Sequence, residues 1–326
     1  SLINVTVTMA LNIYFVVHLN KGVDGVLKAN IIASGLVSIL SLPIIFRITK
    51  IRFFKKSILL KVLRFSLPFL PAGIFTMIME LSDRYLIEWL LGTAEVGLYS
   101  AGKKMGMLGL TAVMGFNMGW TPFFLKRGKN KNAKKEFKII TTIFLGVMGY
   151  ICFLVSLWIS DLMKFTIFGA TLIGVEFWDC ESIVSLILLG YFFFGTYVIQ
   201  LPGVYIKEIT GWIPFFRIIG ASVLVLSSII IIPIFGIYGA AIGVVLAFFS
   251  MSLSIYLKVQ TVYSIPYNWR GIMFPILALL LVQIRFDIVM YKMVFSLLFP
   301  FIWFLFATEN EEREIFKNQF LQFFKK

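Results

Sequence analysis

The chain has 326 residues, of which 60% are hydrophobic and 14% charged, with a formal charge of +14. A soluble domain needs a polar exterior and has no place for that much apolar side chain, so the composition argues against a water-soluble enzyme or binding module. The positive charge does not point to nucleic acid. Lys and Arg cluster between apolar runs, where they act as topogenic charge and attract anionic headgroups.

An ~30 Å hydrocarbon core requires about 20 consecutive apolar residues of a spanning helix. Ten segments meet that description: 2–19, 26–46, 66–89, 97–125, 139–159, 183–205, 213–235, 239–257, 270–286 and 288–307. Their polarity does not alternate, which rules out barrel strands. Helices remain the way to satisfy a backbone in lipid. The expected fold class is therefore all-α integral membrane, with about ten transmembrane helices. The chain enters apolar sequence at Leu2 with no basic stretch or cleavage site before it, so no signal peptide is expected. Cys152 lies inside an apolar run and Cys180 in a loop, an arrangement that does not suggest a structural disulfide.

In chain order, the connections alternate in charge. The turn at 20–25 holds Lys21 and Asp24. The loop after the second segment holds Arg47, Lys50, Arg52, Lys55, Lys56, Lys61 and Arg64. The turn at 90–96 has only Glu95, and the loop after the fourth segment runs from Lys126 through Arg127, Lys129, Lys131, Lys134 and Lys135 to Lys138. The loop at 160–182 sets Asp161, Glu176, Asp179 and Glu181 against Lys164. By the positive-inside rule, even-numbered segments end in the cytoplasm of a multi-pass protein of the cell (inner) membrane, and the C-terminus is cytoplasmic. The tail 308–326 mixes acidic, basic and aromatic residues and reads as an interfacial helix or a loose end.

A repeat is visible. Gly22-Val23-Asp24-Gly25 follows the first segment, and Gly236-Ile237-Tyr238-Gly239 follows the seventh. Both read as short hairpins in which small residues let two helices approach. The period of six helices divides the chain into the last two helices of an incomplete first lobe with a basic loop (1–61), a complete six-helix lobe (62–258), and two extra helices with a tail (259–326). It also leads to the expectation of an amino-terminally truncated chain whose parent has fourteen helices.

Ionisable residues inside spanning segments are costly and mark functional candidates. Glu80, Asp83, Arg84 and Glu88 fall within about 140° on one face of the third segment. They read either as a self-neutralising cluster or as part of a substrate path. Lys103 and Lys104 lie inside the fourth segment with no adjacent acid, and Met107, Met114, Asn117 and Thr121 continue the face of Lys103. The two lysines must snorkel, pair with Asp83 or Glu80, or line a water-filled cavity that holds an anion. Gly102 with Gly106, and Gly115 with Gly119, read as packing surfaces. Gln200, Arg217, Gln283 and Arg285 are further residues able to reach a cavity. Pro122 is expected to bend or end its helix. With a single His, His18, no metal site is expected, and no nucleotide loop or nucleophile constellation appears, so neither cofactor nor enzyme chemistry is expected.

Several motifs fall together around the third and fourth segments: Leu63-Arg64-Phe65-Ser66-Leu67-Pro68, then Ser82-Asp83-Arg84-Tyr85, Gly92, Val96-Gly97-Leu98-Tyr99-Ser100, Lys104 and Trp120-Thr121-Pro122-Phe123. Their order and spacing resemble the polysaccharide biosynthesis flippases of the multidrug/oligosaccharidyl-lipid/polysaccharide exporter superfamily. The run Ile232–Ala241 is similar to a later hairpin of that family. The resemblance implies a MATE-like fold of two six-helix lobes around a central cavity. It further implies a flippase for an anionic lipid-linked oligosaccharide, carried on undecaprenyl pyrophosphate for surface polysaccharide such as O-antigen, with membrane lipids and polysaccharide polymerase machinery as partners. Substrate would be held by Arg84, Lys103 and Lys104, with Asp83, Glu80, Asn117 and Arg217 around them. The rival readings are a cation-coupled multidrug antiporter, whose cavity should be acidic, and a membrane-embedded polymerase, whose large outer loop should carry Arg, His or acidic catalytic residues.

Overall fold

The computed structural model describes residues 2–48, 55–167, 170–171, 173–284, 288–310 and 312–314. Each of the ten expected segments falls on helix among these residues. Among the described residues, seven helices or helix pairs are long and apolar enough to cross a membrane, and Ile3–His18 and Trp269–Leu281 are shorter apolar helices. The remaining segment, the fourth, is the 35-residue helix Thr93–Arg127, which has many glycines and carries Lys103 and Lys104 in its interior. The chain is a multi-pass membrane protein. Large apolar side chains such as Met118, Phe46 and Phe235 stand exposed around it, as a lipid-facing surface requires.

Two compact units make up the chain, Ser1–Val62 and Leu63–Lys326. In the first unit, α1 (Leu2–Asn12) continues through a π-type turn to His18 and packs on α2 (Gly22–Ile48). The glycines of the repeat explain the hairpin. Gly22 has φ +50°, and a Cβ on Gly25 would stand 3.1 Å from Cβ of Phe15. The second unit repeats the arrangement. Gly236 has φ +60°, and a Cβ on Gly239 would stand 2.6 Å from the carbonyl oxygen of Ile231. In each hairpin the first glycine supplies the left-handed turn and the second admits the preceding helix.

The helix α3 (Lys56–Ser66) is followed, after a break at Leu67-Pro68, by α4 (Phe69–Leu91). In the second unit α4, α5 (Thr93–Arg127), α6 (Ala133–Lys164), α7 (Glu181–Val198), α9 (Ile213–Phe235) and α10 (Ile237–Val262) form a bundle, with the one-turn α8 (Leu201–Ile206) after α7. The helix α7 is its axis, touched by α5, α6 and α10, while α9 bridges α10 and α4. The two remaining helices, α11 (Trp269–Leu281) and α12 (Val289–Ile302), lie against α6. Lys292 of α12, itself buried, reaches Asp161 at the end of α6 at 2.5 Å.

Gly102 and Gly106 are packing residues: a Cβ at either would stand 2.7 or 2.4 Å from the side chains of Ile183 and Ile187 on α7. Gly115 and Gly119 are not. Nothing described lies within 4 Å of a Cβ placed on them, so that half of the expectation is corrected. The small-residue spacing is the same at both places, but only the first meets a partner helix. Pro122 does not end α5, which runs on to Arg127. In the loop after α6, Thr166–Ile167 pairs antiparallel with Ala170–Thr171, and a 3-10 turn follows at Val175–Cys180. Arg285, most of the tail and residues 49–54 of the basic loop lie outside the described residues.

Candidate functional site

Residues 76, 80, 83 and 87 recur at helical spacing on α4, and residues 99, 103, 106 and 110 do so on α5. Gly92, at φ +100°, turns the chain between the two helices. The hairpin thereby sets Asp83 beside Lys103. Asp83 is fully buried, and its carboxylate pairs with the Lys103 ammonium and accepts from the Tyr99 hydroxyl at 2.8 Å and the Arg84 backbone N–H at 2.8 Å. Lys103 donates also to the Glu80 carbonyl at 3.0 Å. A buried carboxylate with three donors and a buried ammonium with two acceptors make a satisfied pair, the condition for charges to persist away from water.

Beside this pair is a cavity of about 100 Å³ among α4, α5, α7, α9 and α10. Thr76, Glu80, Lys103 and Arg217 form its polar wall, and Tyr191, Phe194 and Phe248 its aromatic one. Arg217, half-buried, donates to the Thr76 hydroxyl and lies 5.9 Å from the centre of the Tyr197 ring. Its Nε is buried without a hydrogen-bond partner. Among the described residues Arg217 has no carboxylate partner.

The expected site residues are therefore divided. Glu80, Asp83, Lys103 and Arg217 come together. Arg84 is half-buried with its Nε unpartnered, and it does not line the cavity. Glu80 and Arg84 form no ion pair among the described residues. Lys104 is exposed and lies outside the cavity lining, as does the half-buried Asn117, which accepts from Thr121 at 3.1 Å. Tyr99, Thr76 and Tyr191 belong to the site and were not expected there. The signal for Tyr99 was its position one helical turn before Lys103, and for Thr76 its place one turn before Glu80. Trp120 of the Trp-x-Pro-Phe motif is a core residue, 2% exposed, with ring centres of Phe116 and Phe137 at 5.4 and 5.3 Å.

Residues 1–128 match a family model described as polysaccharide biosynthesis protein. Among solved structures, the chain is similar to a MATE point mutant, with a TM-score of 0.56 at 16% identity over 79% of this chain and 60% of that one. It is also similar to the MATE transporter VcmN of Vibrio cholerae in its bent form, with a TM-score of 0.55 at 13% identity over 85% of this chain and 62% of that one. The fold is MATE-like. This MATE-like chain spans about three fifths of the length of those transporters. The family match covers the stretch that holds the Asp-Arg-Tyr, Gly-Leu-Tyr-Ser and Trp-x-Pro-Phe motifs, so the resemblance read from them holds. No curated protein matches the chain.

Proposed function

We propose that this chain serves a membrane transporter that flips an undecaprenyl-pyrophosphate-linked oligosaccharide from the inner to the outer leaflet for surface polysaccharide assembly. The polysaccharide-biosynthesis match and the MATE-like fold support the class. The observation that carries the anionic substrate is Arg217. A charge at membrane depth costs about 3 kcal/mol even on mild insertion scales. Lys103 offsets that cost with Asp83, whereas among the described residues Arg217 has only a hydroxyl and a ring. A guanidinium left without a carboxylate beside a cavity is suited to a phosphate or an acidic sugar, which it grips through two N–H groups. Rocking of helix lobes about such a site would open it to one leaflet at a time, and the lipid tail would stay in the bilayer.

The rival cation-coupled antiporter needs a free acid for its cationic substrates. Asp83 is neutralised by Lys103 and enclosed by donors, which leaves exposed Glu80 as the cavity's acid. Deletion of the gene separates the readings. The flippase reading expects loss of surface polysaccharide and accumulation of lipid-linked oligosaccharide in the inner leaflet, with drug susceptibility unchanged. Normal polysaccharide with increased drug susceptibility would replace it with the antiporter.

A further inference from the structure

The helix α3 (Lys56–Ser66) differs from the helices after it. It has 11 residues, about 16 Å, and carries Lys56, Lys61 and Arg64, so it is too short to span the hydrocarbon core and too charged to lie inside it. Nor is it needed to lengthen α4, whose 23 residues already reach about 34 Å. Prolines separate the two helices. Pro68 and Pro71 lack the N–H groups that would bond the carbonyls of Arg64 and Leu67, and α3 ends at this break.

The side chains of α3 sort by face. At 100° per residue, Ser57, Lys61 and Arg64 fall within about 60° of one another, while Ile58, Leu59, Val62, Leu63 and Phe65 cover about 160° of the other side. All of these are exposed except Phe65, which is half-buried. Among the described residues Lys61 and Arg64 have no ion pair, and α3 packs extensively on no other helix. Its C-terminal end is the fastened one: the Phe65 carbonyl accepts from the Thr210 hydroxyl at 3.1 Å, and the Phe65 ring lies 6.1 Å from that of Tyr205. An apolar face without a partner helix and a basic face without an acid are the two halves of a helix that lies in a membrane surface.

We propose that α3 is a docking surface for anionic phospholipid, lying in the leaflet surface at which α4 begins. Lipid phosphates pair with Lys61 and Arg64, and Ile58, Leu59, Val62 and Leu63 dip into the acyl boundary. The basic face selects an anionic headgroup over a zwitterionic one. The apolar face selects a lipid surface over a nucleic acid, which would neutralise the cations and leave five apolar side chains in water. This inference holds whatever the transporter carries.

The test is fluorescence quenching in the full chain, reconstituted in phosphatidylcholine vesicles, with bimane on Leu59→Cys. Cys152 and Cys180 are fully buried, and the parent chain treated with the same reagent is the blank. Phosphatidylglycerol or phosphatidylcholine carrying a nitroxide near the top of the acyl chain is added at a small mole fraction, and aqueous iodide is used in parallel. Both lipids should quench the bimane and iodide should not, with phosphatidylglycerol the stronger quencher at equal mole fraction. Lys61→Gln or Arg64→Gln should each lower that preference about fivefold, and the double variant should bring it close to one. High salt should lower it as well. Leu63→Cys, also exposed, serves as a second bimane position should Leu59→Cys disturb the helix. Equal quenching by the two lipids in the parent sequence, or a preference unchanged in the double variant, would overturn the anionic headgroup. Quenching by iodide and by neither lipid would set α3 in water and overturn the docking surface.

Discussion

Asp83→Asn is the sharpest perturbation of the buried pair. The side chain keeps its shape and its place opposite Tyr99, and what changes is the charge facing Lys103. Lys103 is 8% exposed, so its ammonium cannot turn to water and loses its counter-ion in place. Removing one partner of a buried pair costs about 3–5 kcal/mol, which lowers the ratio of folded to unfolded protein by roughly two hundred-fold to four thousand-fold. The hydrogen bond from Tyr99, made to a charged acceptor at 2.8 Å, is a smaller quantity: Tyr99→Phe should cost about 1.5–3 kcal/mol. Replacing both charges, Asp83→Leu with Lys103→Met, removes the desolvation cost together with the attraction and should return stability to within about 2 kcal/mol of the parent. The assay is reversible unfolding of the purified chain in mild detergent by titration with a denaturing detergent, for the parent, both single variants and the double. The reasoning fails if Asp83→Asn lies within about 1 kcal/mol of the parent, or if the single costs simply add in the double.

Lys104→Ala, at an exposed position, should change stability by no more than about 0.5 kcal/mol in the same titration, in contrast to Lys103→Ala. Gly106→Ala pushes a methyl group to 2.4 Å from Ile187 and should cost about 1–3 kcal/mol, while Gly115→Ala meets nothing and should be neutral or stabilising by about 1 kcal/mol. The Cys180 thiol is pushed up to about 11 by burial and then by Glu181 and Asp179. Its thiolate is therefore about one part in a thousand at pH 8, and labelling by a thiol reagent should rise roughly two hundred-fold when the protein is unfolded, as read by peptide mapping. In intact cells an impermeant thiol reagent should label Asp179→Cys and spare Lys131→Cys, both exposed positions; the reverse pattern would invert the orientation.

The helices were legible in the sequence because their signal is local. An apolar run of spanning length means one thing in lipid, and 213–235 coincides with α9 to the residue. The hairpin repeat was legible for the same reason, since two glycines at a fixed spacing answer two local demands, a positive φ and a close contact. The pairing of charges was less legible. Lys103 has no acid beside it on its own helix, and Asp83 lies 20 residues back, across a turn whose register Gly92 sets. Arg217 sits one turn into α9, where a long cation usually reaches for the interface. Only the packing of α9 on α4 turns it to Thr76. Among the described residues, Gly115 and Gly119 have the spacing of a helix contact without a helix to contact, and no local pattern distinguishes them from Gly102 and Gly106.

The central claim is that a guanidinium beside the cavity holds an anionic, lipid-linked saccharide. Complementation of a strain lacking the gene, with surface polysaccharide measured beside protein level, tests it most directly. Arg217→Ala should keep the protein in the membrane at near-parental level and abolish most polysaccharide, while Arg217→Lys, which keeps the charge without the two-pronged grip, should restore part of it. Full complementation by Arg217→Ala at parental protein level would contradict the account.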